Sequence, residues 1–184
     1  MLTTNYYNMK FNNRLYTSSH YSNNTYVDSV IAGSKQFRYT NGEFSTGYSK
    51  EYYGGGDIIF GSMPKEVIYD ANGNGTSKSM AIGFDGSNTP PSIDDYALIE
   101  PIGNCSVVTV TYSIRDNTII RDFTIKNNNN AEIIINGVGL FGTFTYYTGT
   151  TRKLVLLYRE VFASPITVPA GASFIYRRET TEGE

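Results

Sequence analysis

"CSVVTVTYSIRDNTIIRDFTIKN" (Cys105–Asn127) decides the fold class. Val108, Val110, Tyr112 and Ile114 recur at every second position, with Thr109, Thr111 and Ser113 between them. A period of two puts alternate side chains on opposite faces of a strand. "RDN" (Arg115–Asn117) then makes a tight turn. Beyond it Ile119, Phe123 and Ile125 share a face with Arg121, opposite Thr118, Asp122, Thr124 and Lys126. Two alternating runs joined by a turn predict a β-hairpin.

The same grammar continues downstream. "NNNN" (Asn127–Asn130) is a turn, because asparagine tolerates left-handed dihedrals and bonds its own backbone. "AEIIINGVGLFGTF" is apolar on both faces, which predicts a central strand. "RKLVLLYREVF" is open to helical spacing. Leu154, Leu156, Tyr158 and Phe162 also share one strand face, and the β surroundings favour strand. "SPITVPAGASFIYRRE" reads as strand, Pro-Ala-Gly turn, strand. Upstream, short apolar segments "EVIYD", "SMAIGF" and "DYALIEPI" are separated by the turn signal "ANGNG" and by a loop. The whole chain is rich in Tyr, Gly, Asn, Thr and Ser, and Trp is 0. Such a composition suits pleated surfaces and turns. The expected fold is all-β: an antiparallel β-sandwich, jelly-roll or Ig-like, with an extended N-terminal arm.

Two regions are expected. Residues 1–53 hold more than half of the 16 tyrosines and few aliphatic clusters, so they read as a Tyr/Asn-rich arm or irregular lobe. "YYGGGD" (Tyr52–Asp57) is a joint, because three glycines cost much backbone entropy to order. Residues 57–184 form the β-sandwich.

Several function classes are disfavoured. A net charge of -2 with scattered basic residues gives no footprint for nucleic acid and no polybasic patch for a membrane. No stretch is long and apolar enough to span a bilayer, and the first residues lack a secretory signal pattern. With 1 Cys and 1 His, disulfide frameworks, zinc sites and most acid–base constellations have no ligands. No cofactor, metal or catalytic residue is nominated, and an enzyme is not expected.

Some motifs imitate chemistry. "DANGNG" (Asp70–Gly75) matches the first half of a calcium loop through Asp70, Asn72 and Asn74, but the twelfth position is Ala81 instead of a bidentate Glu. It reads as a β-turn loop. "GVGLFG" (Gly137–Gly142) fits a dinucleotide-binding pattern by letter. Turn and strand material follows it, where a helix is required. Asp94 and Asp95 are neighbours on an extended chain and point apart, so they make no catalytic dyad. Asp94 is expected to cap the turn after "TPPS". Cys105 reads as a buried, inert thiol, and His20 as exposed in a polar stretch. Pro90 and Pro91 break the strand pattern, so "AIGFDGSNTPPSIDDYALIEPI" (Ala81–Ile102) reads as a rigid crossover.

That stretch, together with "INGVGLFG" and "LLYREVFASPITVPAGASFIY", resembles small bacteriophage virion structural proteins of the tail or neck. In these an apolar strand enters a Gly-containing loop, then "T-x-P", then an Asp before "x-x-L". Later a Gly-Leu strand precedes a strand with Leu-x-Arg and a "P-I-T-V-P-A-G-x-S" turn. The likeness runs from about Met80 to Tyr176, and the first third carries none of it. The resemblance implies a non-enzymatic virion component, assembled in the cytoplasm of a bacterial host. It implies a homo-oligomer in contact with other virion proteins, with a host-surface glycan as a further contact. The alternative is a carbohydrate-binding β-sandwich module, motivated by the tyrosines and Asn-rich loops.

Overall fold

The computed structural model describes residues 1–8, 38–44, 51–53, 66–67, 74–75, 81–145 and 152–181. Among these residues ten strands follow in chain order: β1 (Glu51–Tyr53), β2 (Glu66–Val67), β3 (Asn74–Gly75), β4 (Ala81–Asp85), β5 (Pro101–Ile102), β6 (Cys105–Arg115), β7 (Thr118–Asn127), β8 (Ile133–Thr145), β9 (Arg152–Val168) and β10 (Ser173–Thr181). They form two sheets. The larger runs β2-β4-β8-β9-β3, with β1 also on β8 and β5 on β4; the smaller runs β10-β7-β6. Every ladder is antiparallel except β2 on β4. The chain is all-β in these residues, apart from one helical turn over residues 4–8.

The Cys105–Asn127 hairpin forms as its alternation predicts, with Arg115 opposite Thr118. Its turn is Asp116–Asn117, with φ of 49° and 62°. Two successive left-handed residues make the turn whose twist matches that of the strands. Near the other end, Val107 pairs with Ile125 but Thr109 pairs with Thr124, which leaves Val108 as the extra residue of a β-bulge. The bulge shifts the phase by one. Cys105 and Val107 before it therefore share a face with Val110, Tyr112 and Ile114 after it, and Val108 leaves the apolar set expected for it. That face meets the larger sheet. Phe123 and Ile125 of β7 and Tyr176 of β10 share one apolar core with Ile82 and Phe84 of β4, Val138 and Leu140 of β8, and Val155 and Leu157 of β9.

β8 is the central strand expected of a run apolar on both faces. Its glycines serve close packing. A Cβ at Gly137 would collide with the Glu160 carbonyl oxygen, and one at Gly139 would meet Leu98 and Leu156. "RKLVLLYREVF" is strand, but its apolar residues divide. Leu140 pairs with Tyr158 and Phe141 with Leu156, so Leu157 is the extra residue of a second bulge. Leu154 and Leu156 consequently pack outward on Leu98 and Phe141, whereas Tyr158 and Phe162 turn inward to the main core. The single face expected for these four residues is thereby corrected.

The Ala81–Ile102 stretch is also corrected. It is not a crossover, because β5 returns to pair with β4, Phe84 opposite Ile102 and Asp85 opposite Pro101. Residues 86–100 form a long excursion between the two, closed at its base by Gly86 N–H donating to the Glu100 carbonyl at 2.7 Å. Passage to the smaller sheet occurs just after, at Gly103 and Asn104, where Asn104 takes a φ of 54°. "DYALIE" is consequently loop, with Leu98 buried beneath it.

The described parts of residues 1–53 pack on this body. Leu2 bridges Tyr158, Thr3 N–H donates to the Leu157 carbonyl at 3.0 Å, and Arg159 N–H donates to the Met1 carbonyl at 3.0 Å. Asn5 ties this segment to a second one: its amide donates to the Arg38 carbonyl at 2.7 Å and accepts from Arg38 N–H at 2.8 Å. Tyr6 and Tyr39 are both buried in the main core.

Candidate functional site

Among the described residues, three features carry concentrated polar chemistry. The first lies under the 86–100 excursion. Asp85 ends β4 and is fully buried, and so is Arg159 of β9. Arg159 Nε donates to Asp85 Oδ2 at 3.1 Å, and Nη1 reaches Asp95 Oδ2 at 3.2 Å and the Pro90 carbonyl at 3.4 Å. Nη2 lies 3.0 Å from the same Asp85 oxygen, outside hydrogen-bond geometry. Asp85 also accepts backbone N–H groups from Ser87, Ile99 and Glu100. A buried carboxyl group facing this many donors has both oxygens fully engaged, so no lone pair is left free for proton transfer. The arrangement ties both ends of the excursion to β9. Asp95, not Asp94, organises its tip: Asp95 Oδ2 accepts from Ser92 N–H at 2.9 Å, while the Asp94 carboxylate faces Thr4 Oγ1 at 3.5 Å. Asn136 adds a further tie by donating its amide to the Gly86 carbonyl.

The second feature lies between the sheets. Tyr158 and Tyr176 hydroxyls both donate to Glu160 Oε2, at 2.9 and 3.2 Å. Burial, reinforced by the Glu160 charge, raises both phenols above the ordinary tyrosine value. The Arg178 guanidinium stacks 4.1 Å over the Tyr158 ring. Opposite Arg178 in the ladder sits Arg121, buried, its basicity lowered by desolvation and by Arg178. Two phenols held protonated on one carboxylate give a fixed polar seam with no activated nucleophile.

The third is an open basin of 410 Å³ lined by Lys126, Asn127, Asn128, Asn129, Asn130, Ala170 and Gly171. Its asparagines are largely spent on the loop. Asn127 donates to the carbonyls of Ala131, Val168 and Pro169 and accepts from Asn129, while Asn128 reaches Ser106 and Asn129 reaches Gly103. No aromatic ring lines it for stacking a sugar.

The motifs singled out by sequence scatter across these features. "GVGLFG" lies within β8 and runs on as strand, so no helix N-terminus is there to receive a pyrophosphate. Asp70–Asn72 and His20 lie outside the described residues; Asn74 and Gly75 form β3 on β9. Cys105 is buried at the head of β6, and burial pushes its thiol up. Sequence reading missed the Asp85–Arg159 pair. Its signal was a single arginine inside the apolar run "LVLLYREVF", since a charge at a core position must be paired. Among the described residues no helix is long and apolar enough to cross a membrane. Comparison of the chain with known protein families, with curated proteins and with solved structures gives no match in any of the three.

Proposed function

We propose that the chain is a non-enzymatic structural protein of a bacteriophage virion, in the tail or neck, acting in particle assembly. Its fold in this reading is a β-sandwich of jelly-roll or Ig-like type, with residues 1–53 as an N-terminal arm. One observation carries the reading. The two stretches that hold the likeness to such proteins form a single structural unit. Asp95, the Asp before "x-x-L", binds Arg159, the Arg of "L-x-R", and Leu98 packs on Leu156 over Gly139. A motif whose distant parts meet in one buried network behaves as a unit of architecture. The saturation of Asp85 and the protonated state of Tyr158 and Tyr176 favour architecture over catalysis. In this reading the chain assembles in the bacterial cytoplasm as a homo-oligomer among other virion proteins.

Mass spectrometry of purified particles from the phage that encodes the chain tests this. Its peptides should appear at a stoichiometry of many copies per particle. Absence from intact particles would sink the reading. The carbohydrate-binding alternative needs a specific, saturable signal from the isolated chain on a glycan array. The committed amides of the Asn127–Asn130 basin argue against one.

A further inference from the structure

We propose that the outer edge of β6 from Val110 to Ile114 pairs antiparallel with the same edge of a second copy of this chain, about a two-fold axis at Tyr112. The inference goes beyond the virion reading and stands on the edge itself.

The smaller sheet has two edges, β10 and β6. Exposed strand edges invite pairing, and charged residues are a common guard against it. β10 is guarded by the run Arg177-Arg178-Glu179. β6 has no charge and no proline from Cys105 to Ile114, and it is built from Val, Thr, Tyr, Ser and Ile. Among the described residues β7 is its only ladder partner. β2 comes close to β6 without a ladder to it. The distal half nonetheless remains open, since Thr109 and every residue from Thr111 to Asn117 are exposed.

The core-facing side of the hairpin also runs out beyond the core. Tyr112 and Ile114 face the same way as the buried Phe123, yet they are 66% and 72% exposed. The backbone geometry selects the register. In a two-residue hairpin the flanking pair, here Arg115 and Thr118, exchanges hydrogen bonds. Alternation then turns the N–H and C=O groups of Ile114, Tyr112 and Val110 outward, away from β7. An antiparallel copy centred on Tyr112 sets Tyr112 against Tyr112 of the partner subunit. It sets Val110 against Ile114 of the partner subunit, and the reverse. Every outward group then finds a mate, and all these side chains lie on one face. Both Arg115 side chains fall at opposite ends, beside an uncharged threonine. An isologous contact needs a surface complementary to itself, and an uncharged edge with this apolar order is one. The result is one continuous sheet through two subunits.

The full chain tests it. Sedimentation velocity should show a monomer–dimer equilibrium that moves toward dimer as concentration rises, and Tyr112→Lys should shift it to monomer, with the melting profile that the wild type shows at dilutions where it is monomeric. In a hydrogen-bonded antiparallel pair the two Cα atoms are about 5.5 Å apart, within disulfide reach. Tyr112→Cys should therefore give a covalent dimer under mild oxidation. Thr109→Cys, on the same exposed strand but opposite Arg115 of the partner subunit, should not. Four results would overturn the proposal: a wild type that is monomeric at all concentrations, a dimer that survives Tyr112→Lys, equal cross-linking of both cysteine variants, or a different protein held at this edge. None of them bears on whether the chain is found in particles, so the two readings fail separately.

Discussion

Asp85 has its oxygens engaged by three backbone amides and a guanidinium, with no water-exposed surface. Leaving a buried charge without a partner costs about 3–5 kcal/mol, and here Arg159 would keep Asp95 at 3.2 Å as a second carboxylate. Asp85→Asn is therefore expected to lower unfolding stability by about 2–3 kcal/mol, below that full penalty. In urea the midpoint should fall with the slope unchanged. A loss below about 1 kcal/mol would show that the 86–100 excursion is held by other contacts. Tyr176 gives a second residue-scale prediction. Its phenol titrates above the ordinary value of 10.0 because burial and Glu160 disfavour the anion. The native state then holds its proton where the unfolded chain releases it. Stability is full below about pH 10 and declines as pH rises further. Tyr158 shifts in the same direction. Tyr176→Phe should flatten the alkaline limb of a stability–pH curve, at a neutral-pH cost of about 1 kcal/mol for the lost hydrogen bond to Glu160. An alkaline limb identical to wild type would contradict this.

Among the elements, the β6–β7 hairpin shows what a sequence pattern can carry. Alternation, a turn tripeptide and β-branched residues all point the same way, so strand, turn and partner were legible together. The bulges at Val108 and Leu157 were not. At Val108 and at Leu157 the chain inserts one residue and reverses which side chains face inward. In a sequence such a phase slip looks like noise in the period. That is why Leu154, Leu156, Tyr158 and Phe162 read as one face and fold as two. For Arg159 the apolar run signalled a need for a partner but not which one: Asp85 lies 74 residues away, and no local rule links the two. The placement of Asp95 rather than Asp94 at the turn follows from the same network, since Arg159 selects the carboxylate it can reach. The hairpin turn yields the element-scale prediction. Asn117 holds a φ of 62°, where a β-branched residue is strained by about 1–2 kcal/mol. Asn117→Val should lower the melting temperature, and Asn117→Gly should leave it equal or higher. A neutral effect of valine would mean that the turn readily adopts another form.

Across the whole molecule, residues 1–8 behave as a part of the larger sheet. They satisfy the carbonyls of Leu156 and Leu157 and the N–H of Arg159, and they contribute Tyr6 to the main core. Deleting them should cost on the order of 5 kcal/mol, from about 1 kcal/mol for each of these three lost hydrogen bonds and roughly 2 for the buried ring. Hydrogen exchange should show the loss concentrated in β9. Intact protection there would mean that the segment only decorates the surface. One consequence concerns the order in which the chain is made. Thr3 and the Leu156 carbonyl it binds are 153 positions apart. At ~5–20 residues per second, the first residues wait many seconds on the ribosome before their mate emerges. During that wait β9 is absent, and β8 and β4 lack the neighbour that completes their sheet. The chain cannot close progressively from its beginning; it must commit late and almost at once. Non-local closure of this kind folds slowly and leaves unpaired strands exposed while it does. Production at lower temperature, or with a chaperone that shields nascent strands, should raise the soluble yield.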